Sequence, residues 1–258
     1  MNTGIFIPCF VDQLYPETGL NMIRILKKAD ELKKAHMRFH HNPDQTCCGQ
    51  VAFNGGFWDE AKHLGEKFMR DFMDYDYVVG PSASCVGMVR NYYPQMFYNS
   101  AWHNQNKQLS KKIYEFTDFL ISVMAVEDLG LSLETHITIH DACTAIREYG
   151  LRDQPRRLLQ QVKGLRITEM KERDVCCGFG GTFSVKHAAI SVAMAEQKVQ
   201  HALDTGAEYI VSTEASCLMH LQAYIDKQNI PVKTMHIADL LAKALNGSPN
   251  VKISDIQS

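Results

Sequence analysis

Eight cysteines, all that the chain has, fall into two matching sets. Cys9, the adjacent pair Cys47-Cys48 followed by Gly49, and Cys85 make the first. Cys143, the pair Cys176-Cys177 followed by Gly178, and Cys217 make the second. Each member has its counterpart 134, 129 or 132 positions later. Thiolates gathered at one point repel one another strongly unless a cation neutralises them, so metal is their natural partner. Sulfur-only ligation selects zinc or an iron–sulfur cluster over copper(II), magnesium or calcium. Structural zinc sites usually draw on short C-x-x-C knuckles, and the chain contains none. Adjacent side chains diverge, so a Cys-Cys pair reaches two atoms of a polynuclear centre more easily than one small ion. The spacing therefore tilts towards iron–sulfur. Zinc in one or both halves, stabilising an interaction module that scaffolds a complex and transfers no electrons, is the alternative. A thiol/disulfide pair cycling at Cys47-Cys48 or Cys176-Cys177 is a third reading, weakened by the strain of vicinal disulfides.

The repeat extends beyond the cysteines. Each half reads cysteine pair, glycine-rich turn, long amphipathic helix, short apolar strand, then a small polar stretch ending in Ser84-Cys85 or Ser216-Cys217. Internal duplication explains that shared order. Strands are expected at Gly4–Pro8, within 36–45, at Asp76–Gly80, Ile137–His140, Leu165–Glu169 and Glu208–Ser212, with a strand and helix in 232–245. Helices are expected at Asn21–Ala35, Phe57–Met73, after Cys85 to Met96, from Pro155 to about Val162, at Ser184–Leu203 and at Leu218–Lys227. For Ser184–Leu203 the expected buried face is Val185, Ala188, Ala189, Val192, Ala195 and Val199. Ser110–Met124 reads as a connecting helix, and the chain after Gly247 as a polar, frayed tail.

Alternating strands and helices predict an α/β fold of two pseudo-symmetric, duplicated units with mainly parallel sheets. The expected division is a first unit at 1–109, a connecting helix at 110–134 and a second unit at 135–258. Cys9, Cys85, Cys143 and Cys217 come shortly after expected strands, at the carboxyl ends where ligands gather in such folds.

Composition excludes several classes. A hydrophobic content of 45%, 22% charged residues and a net charge of -2 give no sign of a nucleic-acid or membrane-surface binder. No apolar run is long enough for a transmembrane helix. The N-terminus enters a strand-like segment without a basic or cleavable apolar region, so a cytoplasmic protein is expected. Gly49 and Gly178 let the backbone approach the expected centres and aim N–H groups at sulfur. Phe183 stands where a dinucleotide loop needs its last glycine, which argues against nucleotide binding.

The doubled pattern, with GPSASCVGMV at 80–89 and HDAC at 140–143, resembles the cysteine-rich CCG domain family over nearly all of the chain, from Gly4 to about Leu245. That family includes a subunit of heterodisulfide reductase and cluster-bearing subunits of glycolate and glycerol-3-phosphate oxidases. The chain is most similar to the lactate-utilisation members. The resemblance implies an electron-transfer subunit of a multi-protein system oxidising L-lactate to pyruvate, rather than an enzyme active alone. It further implies one [4Fe–4S] cluster per half, with a ferredoxin-like iron–sulfur subunit and a third lactate-utilisation subunit as partners. The heterodisulfide reductase motif closes with C-x-x-C, whereas this chain has Cys85-Val86-Gly87-Met88 and Cys217-Leu218-Met219-His220. The fifth thiol is missing twice, which puts a noncubane cluster and disulfide-reducing chemistry in doubt.

Other residues stand near these motifs. His140 beside Asp141 has the makings of a base for the hydroxyl proton of a 2-hydroxy acid, with Arg147 to clamp its carboxylate. The plainer reading is local hydrogen bonding by His140, with Arg147 paired to Glu148 or Asp141. Ser216 is the expected cap of the helix after Cys217, Glu214 is a site or turn residue, and His220 is a substitute ligand or a surface group.

Overall fold

The computed structural model describes residues 1–245, so the expected frayed tail lies outside the described residues. The chain divides into two compact units, one spanning Met1–Val126 and the other beginning at Glu127.

In the first unit four parallel strands are ordered β2-β1-β3-β4: β1 is Asn2–Ile5, β2 Arg38–His41, β3 Tyr77–Gly80 and β4 Ile113–Glu115. The central strands are covered on both faces, which is why Val78 and Val79 stand side by side rather than alternating with polar residues. Helix Pro16–Lys33 opens with proline in its first turn and buries Met22, Ile25, Leu26 and Ala29. Helix Trp58–Phe72 buries Ala61, Phe68, Met69 and Phe72.

The second unit repeats the plan as β6-β5-β7-β8, with β5 Ser132–Ile139, β6 Lys163–Ile167, β7 Tyr209–Ser212 and β8 Lys233–His236, all parallel. Helices Ala188–Leu203, Ala215–Gln228 and Ile237–Ala244 accompany that sheet. In each sheet the chain runs outward in one direction from β1 or β5 and then crosses back to β3 or β7. That reversal opens a crevice at the carboxyl ends of the strands on either side of it.

Two expectations need correction. The segment 110–134 is not a connecting helix: β4 lies inside it, hydrogen-bonded along β3, followed by one short α-helical and one π-helical turn, Phe116–Asp118 and Phe119–Val123. The expected boundary at 109 would have cut the first sheet's fourth strand from its unit. Helix Ala188–Leu203 also begins later than expected, after a break at His187, and presents a different face. Its buried residues are Ser191, Ala195, Lys198, Val199 and Ala202, while Val185, Ala188, Ala189 and Val192 are exposed. Among the described residues no helix is long and apolar enough to cross a membrane.

Candidate metal centres

In the first unit the four cysteines meet at the carboxyl edge of β2, β1 and β3. Cys9 starts the helix after β1, Cys47-Cys48 lie in the loop after β2, and Cys85 lies in the helix Ala83–Gly87 after β3. Ser82 caps that last helix, accepting a 3.3 Å hydrogen bond from the Cys85 N–H. Cys9 Sγ is 3.8 Å from Cys47 Sγ. Cys48 in turn lies close enough to Cys47 and to Cys85 for its thiol to be perturbed by both.

The second unit reproduces this. Cys143 follows β5, Cys176-Cys177 follow β6, and Cys217 lies in the helix Ala215–Gln228 after β7. Cys176 lies close enough to Cys143 and Cys177, and Cys177 to Cys217, to perturb the thiols of Cys143, Cys176 and Cys177. The helix after β7 begins after Glu214, not Ser216; Ser216 Oγ instead donates to the Glu214 carboxylate at 3.1 Å. Glu214 is buried.

The backbone N–H groups of Gly49 and Gly178 point at sulfur. The Gly49 N–H donates to Cys47 Sγ and the Gly178 N–H to Cys176 Sγ, each at 3.4 Å. Both glycines have left-handed backbone, φ 85° and 96°, which a side chain disfavours. A β-carbon on Gly178 would lie 2.5 Å from the Ser191 carbonyl oxygen. Gly55-Gly56 and Gly180-Gly181 form turns instead: Gly56 ends the helix Gln50–Gly55, and Gly180-Gly181 precede the helix Phe183–Lys186.

The electrostatics follow from crowding. Hydrogen bonds from Cys48 and Cys9, aided by the N–H groups of Gly49 and Gln50, pull the Cys47 thiol down to about 3. Cys143 and Cys177 do the same to Cys176, which falls to about 2. Their neighbours go the other way. Hydrogen bonding to Cys47 and then burial push Cys9 up, and hydrogen bonding to Cys47 and Cys85 with complete burial pushes Cys48 up. Cys143 and Cys177 rise for the same reasons. Crowding thus favours the thiolate on Cys47 and on Cys176 and holds protons on Cys9 and Cys48, and on Cys143 and Cys177. A metal centre would displace those protons, and the all-sulfur donors, steadied by backbone N–H groups, suit such a centre.

The residues around Cys143 form a separate arrangement. Asp141 is gripped by both arms of the Arg156 guanidinium, at 2.8 and 2.9 Å, and by Arg173 at 3.2 Å; Glu169 bonds both arginines. Asp141 is therefore an anchor of the loop leading to Cys143, not the partner of His140. Arg147 is exposed and pairs with neither Asp141 nor Glu148 among the ion pairs of the described residues. His140 is 1% exposed, and neither ring nitrogen makes a well-formed hydrogen bond, the Arg173 backbone carbonyl lending only a weak contact. Burial, then the Lys198 charge, holds its pKa down to about 3, so the ring is neutral at physiological pH. Its ligating nitrogen and the sulfurs of Cys177 and Cys217 lie within 4.8 Å of one another. His220 is turned to Ser191, with Nε2 at 3.2 Å from the hydroxyl and 3.3 Å from the carbonyl oxygen.

Two residues beside the sulfurs escaped the sequence reading. Tyr93 is fully buried and donates its hydroxyl to the Cys48 carbonyl at 2.8 Å. Lys198 is buried on the same helix face as Ala195 and Ala202 and donates to the Glu172 carbonyl. The available signal was a lysine at helical spacing within an otherwise small-residue face.

The comparisons agree with this geometry. A family model described as the cysteine-rich domain, CCG, matches residues 3–90 and again 137–222. Lactate utilization protein A of Bacillus subtilis (strain 168) is 39% identical over 242 residues, covering 93% of this chain and 99% of the relative. Its counterpart in Geobacillus kaustophilus (strain HTA426) is 38% identical, covering 93% and 98%. A hypothetical protein from Helicobacter pylori, known from a crystal structure, shares the fold with a TM-score of 0.53 at 10% identity. That match covers 96% of this chain and 49% of the other, so the chain spans about half its length.

Proposed function

The chain belongs to the cysteine-rich CCG domain family, and on that premise we propose that it is an iron–sulfur electron-transfer subunit of a multi-protein system that oxidises L-lactate to pyruvate. The observation that carries the reading is the gathering of each sulfur quartet at the carboxyl edge of its own parallel sheet. Cys9, Cys47, Cys48 and Cys85 would hold one centre, and Cys143, Cys176, Cys177 and Cys217 the other. An iron–sulfur cluster, most simply one [4Fe–4S] per half, supplies reversible one-electron storage when bound. Gly49 and Gly178 would direct N–H groups at its sulfur ligands, and Tyr93 would brace the Cys48 backbone.

Oxidation of lactate to pyruvate releases two electrons and two protons. The cavity beside His140 is lined by Ile139, Ala142, Leu151 and Leu159 among others, without an arginine or lysine to hold a carboxylate. That lining favours electron relay on this chain and lactate oxidation on a partner. The partners in this reading are a ferredoxin-like iron–sulfur subunit and a third lactate-utilisation subunit, and the compartment is the cytoplasm.

Zinc is the competing reading, because two cysteines and a histidine form a donor set that it also accepts. Iron and acid-labile sulfide analysis with EPR on anaerobically prepared protein separates the two. Brown protein with iron and sulfide in near-equal amounts is expected, falling by half in Cys48→Ser and in Cys177→Ser. Colourless protein with stoichiometric zinc overturns the proposal.

A further inference from the structure

The duplication gives every position of the second site an internal reference. Phe6 and His140 are equivalent. Each follows a strand residue paired with the neighbouring strand, Ile5 with Val79 and Ile139 with Val211. Each donates its own N–H to that partner's carbonyl, at 2.9 and 2.8 Å, and each precedes a lone cysteine by three residues. Phe68 and Lys198 are equivalent too. A β-carbon on Gly49 would meet the Ala61 carbonyl and Leu64, and one on Gly178 the Ser191 carbonyl and Met194. Phe68 and Lys198 come one helical turn after Leu64 and Met194.

In the first half this pair is hydrocarbon. Phe6 and Phe68 pack edge-on with centroids 4.8 Å apart, fully buried, and need no partner. In the second half the same two places hold nitrogen. Lys198 has found an acceptor in the Glu172 carbonyl. His140 is poorly served: neither ring nitrogen makes a well-formed hydrogen bond, the Arg173 backbone carbonyl lends only a weak contact, and the adjacent Asp141 carboxylate is taken by Arg156 and Arg173. A buried polar group so poorly partnered is costly and rare in a folded protein, so the stronger partner it lacks belongs to whatever fills the site.

We propose that His140 binds an iron of the second centre through a ring nitrogen, alongside the Cys177 and Cys217 thiolates. The inference rests on the iron–sulfur reading above. His220 is no rival for this place, since its Nε2 is occupied by Ser191. Phe6 has no ligating atom, so the first centre is held by sulfur alone and the two centres differ. The neutral imidazole adds no charge beside the four thiolates, but the Lys198 ammonium, buried where the first half has Phe68, makes the surroundings of the second centre the more positive. Its reduction potential therefore lies above that of the first, as added positive charge dictates. Electrons entering the chain come to rest in the second half.

The test uses the full, iron-loaded chain carrying Cys48→Ser, so that the second centre is seen alone. Pulsed EPR of the reduced protein is expected to show a strongly coupled nitrogen that changes signature on histidine-specific 15N labelling. His140→Phe, which copies Phe6, is expected to abolish that coupling. In the otherwise wild-type chain it should shift the second centre's midpoint potential and leave the first unchanged. A loaded second centre without a bound-nitrogen coupling overturns the proposal, as does a coupling that survives His140→Phe; both leave the cluster reading intact. Protein that takes up zinc, or neither iron nor sulfide, overturns the cluster reading and this inference with it. The measurement before mutation stands even if His140→Phe misfolds.

Discussion

The Tyr93 hydroxyl donates a 2.8 Å hydrogen bond to the Cys48 carbonyl oxygen, and both residues are closed off from solvent. The Tyr93 ring is fixed by edge-on contacts with Phe68 and Phe97, at centroid distances of 6.0 and 5.6 Å. Tyr93→Phe keeps those contacts and leaves the carbonyl without this donor. A loss of about 1–2 kcal/mol is expected from one buried hydrogen bond, read from urea unfolding. The EPR signal of the first centre should change while that of the second does not. Stability equal to wild type would mean that the carbonyl finds another donor and that Tyr93 is packing alone.

Gly49 and Gly178 occupy equivalent turns but differ in the room around them. A β-carbon at Gly49 would lie 3.2 Å from the Ala61 carbonyl, a tight contact that small shifts relieve. At Gly178 it would lie 2.5 Å from the Ser191 carbonyl and 2.9 Å from the Met194 β-carbon, which no side-chain rotation relieves. Both substitutions also incur the penalty of about 1 kcal/mol for a left-handed alanine. Gly178→Ala is therefore expected to cost clearly more stability than Gly49→Ala and to lose most of the iron of the second centre. Thermal melts of the two variants side by side, with iron counts, decide this; equal effects would contradict the geometry.

Asp141 serves the loop before Cys143 by accepting from Arg156 and Arg173. Asp141→Asn removes the charge and half of the bidentate pairing in a largely buried setting. A loss of about 1–3 kcal/mol is expected, together with weaker loading of the second centre. Were Asp141 instead part of a proton-abstracting pair with His140, the variant would keep its stability and its iron and lose only turnover in the assembled system. Chemical unfolding and iron analysis distinguish these outcomes without a partner present.

The cysteine order and the short apolar strands around Val78-Val79 and Ile210-Val211 were legible because each signal is local. β4 was not, since three residues, Ile113-Tyr114-Glu115, give no periodicity and end in a carboxylate that strand patterns exclude. The buried face of Ala188–Leu203 was misread because apolarity usually marks the inside, yet here Val185 and Val192 stay outside while Ser191 and Lys198 turn inward. The isolation of His140 was out of reach altogether. It depends on two arginines, distant in sequence, that reach Asp141 first.

The buried Glu115 should make stability depend on pH. Burial raises its carboxyl from the ordinary 4.5 to about 8, despite hydrogen bonds from Thr117 and Asp118 that oppose the shift. The folded chain thus keeps a proton that the unfolded chain releases between about 4.5 and 8. With more protons bound in the folded state, the stabilisation is fully present below 4.5, falls as pH rises through this window and levels off above about 8. The slope is at most about 1.4 kcal/mol per pH unit. Glu115→Gln has no proton to lose, and its amide oxygen still accepts from the Thr117 and Asp118 N–H groups that Glu115 caps. The variant should match wild type near the acid end of the window and exceed it in urea midpoint at the alkaline end. The cysteines titrate alike in both proteins, so the difference between their pH profiles isolates Glu115. Parallel profiles would mean that Glu115 is already ionised in the folded chain, held by a cation or by further donors.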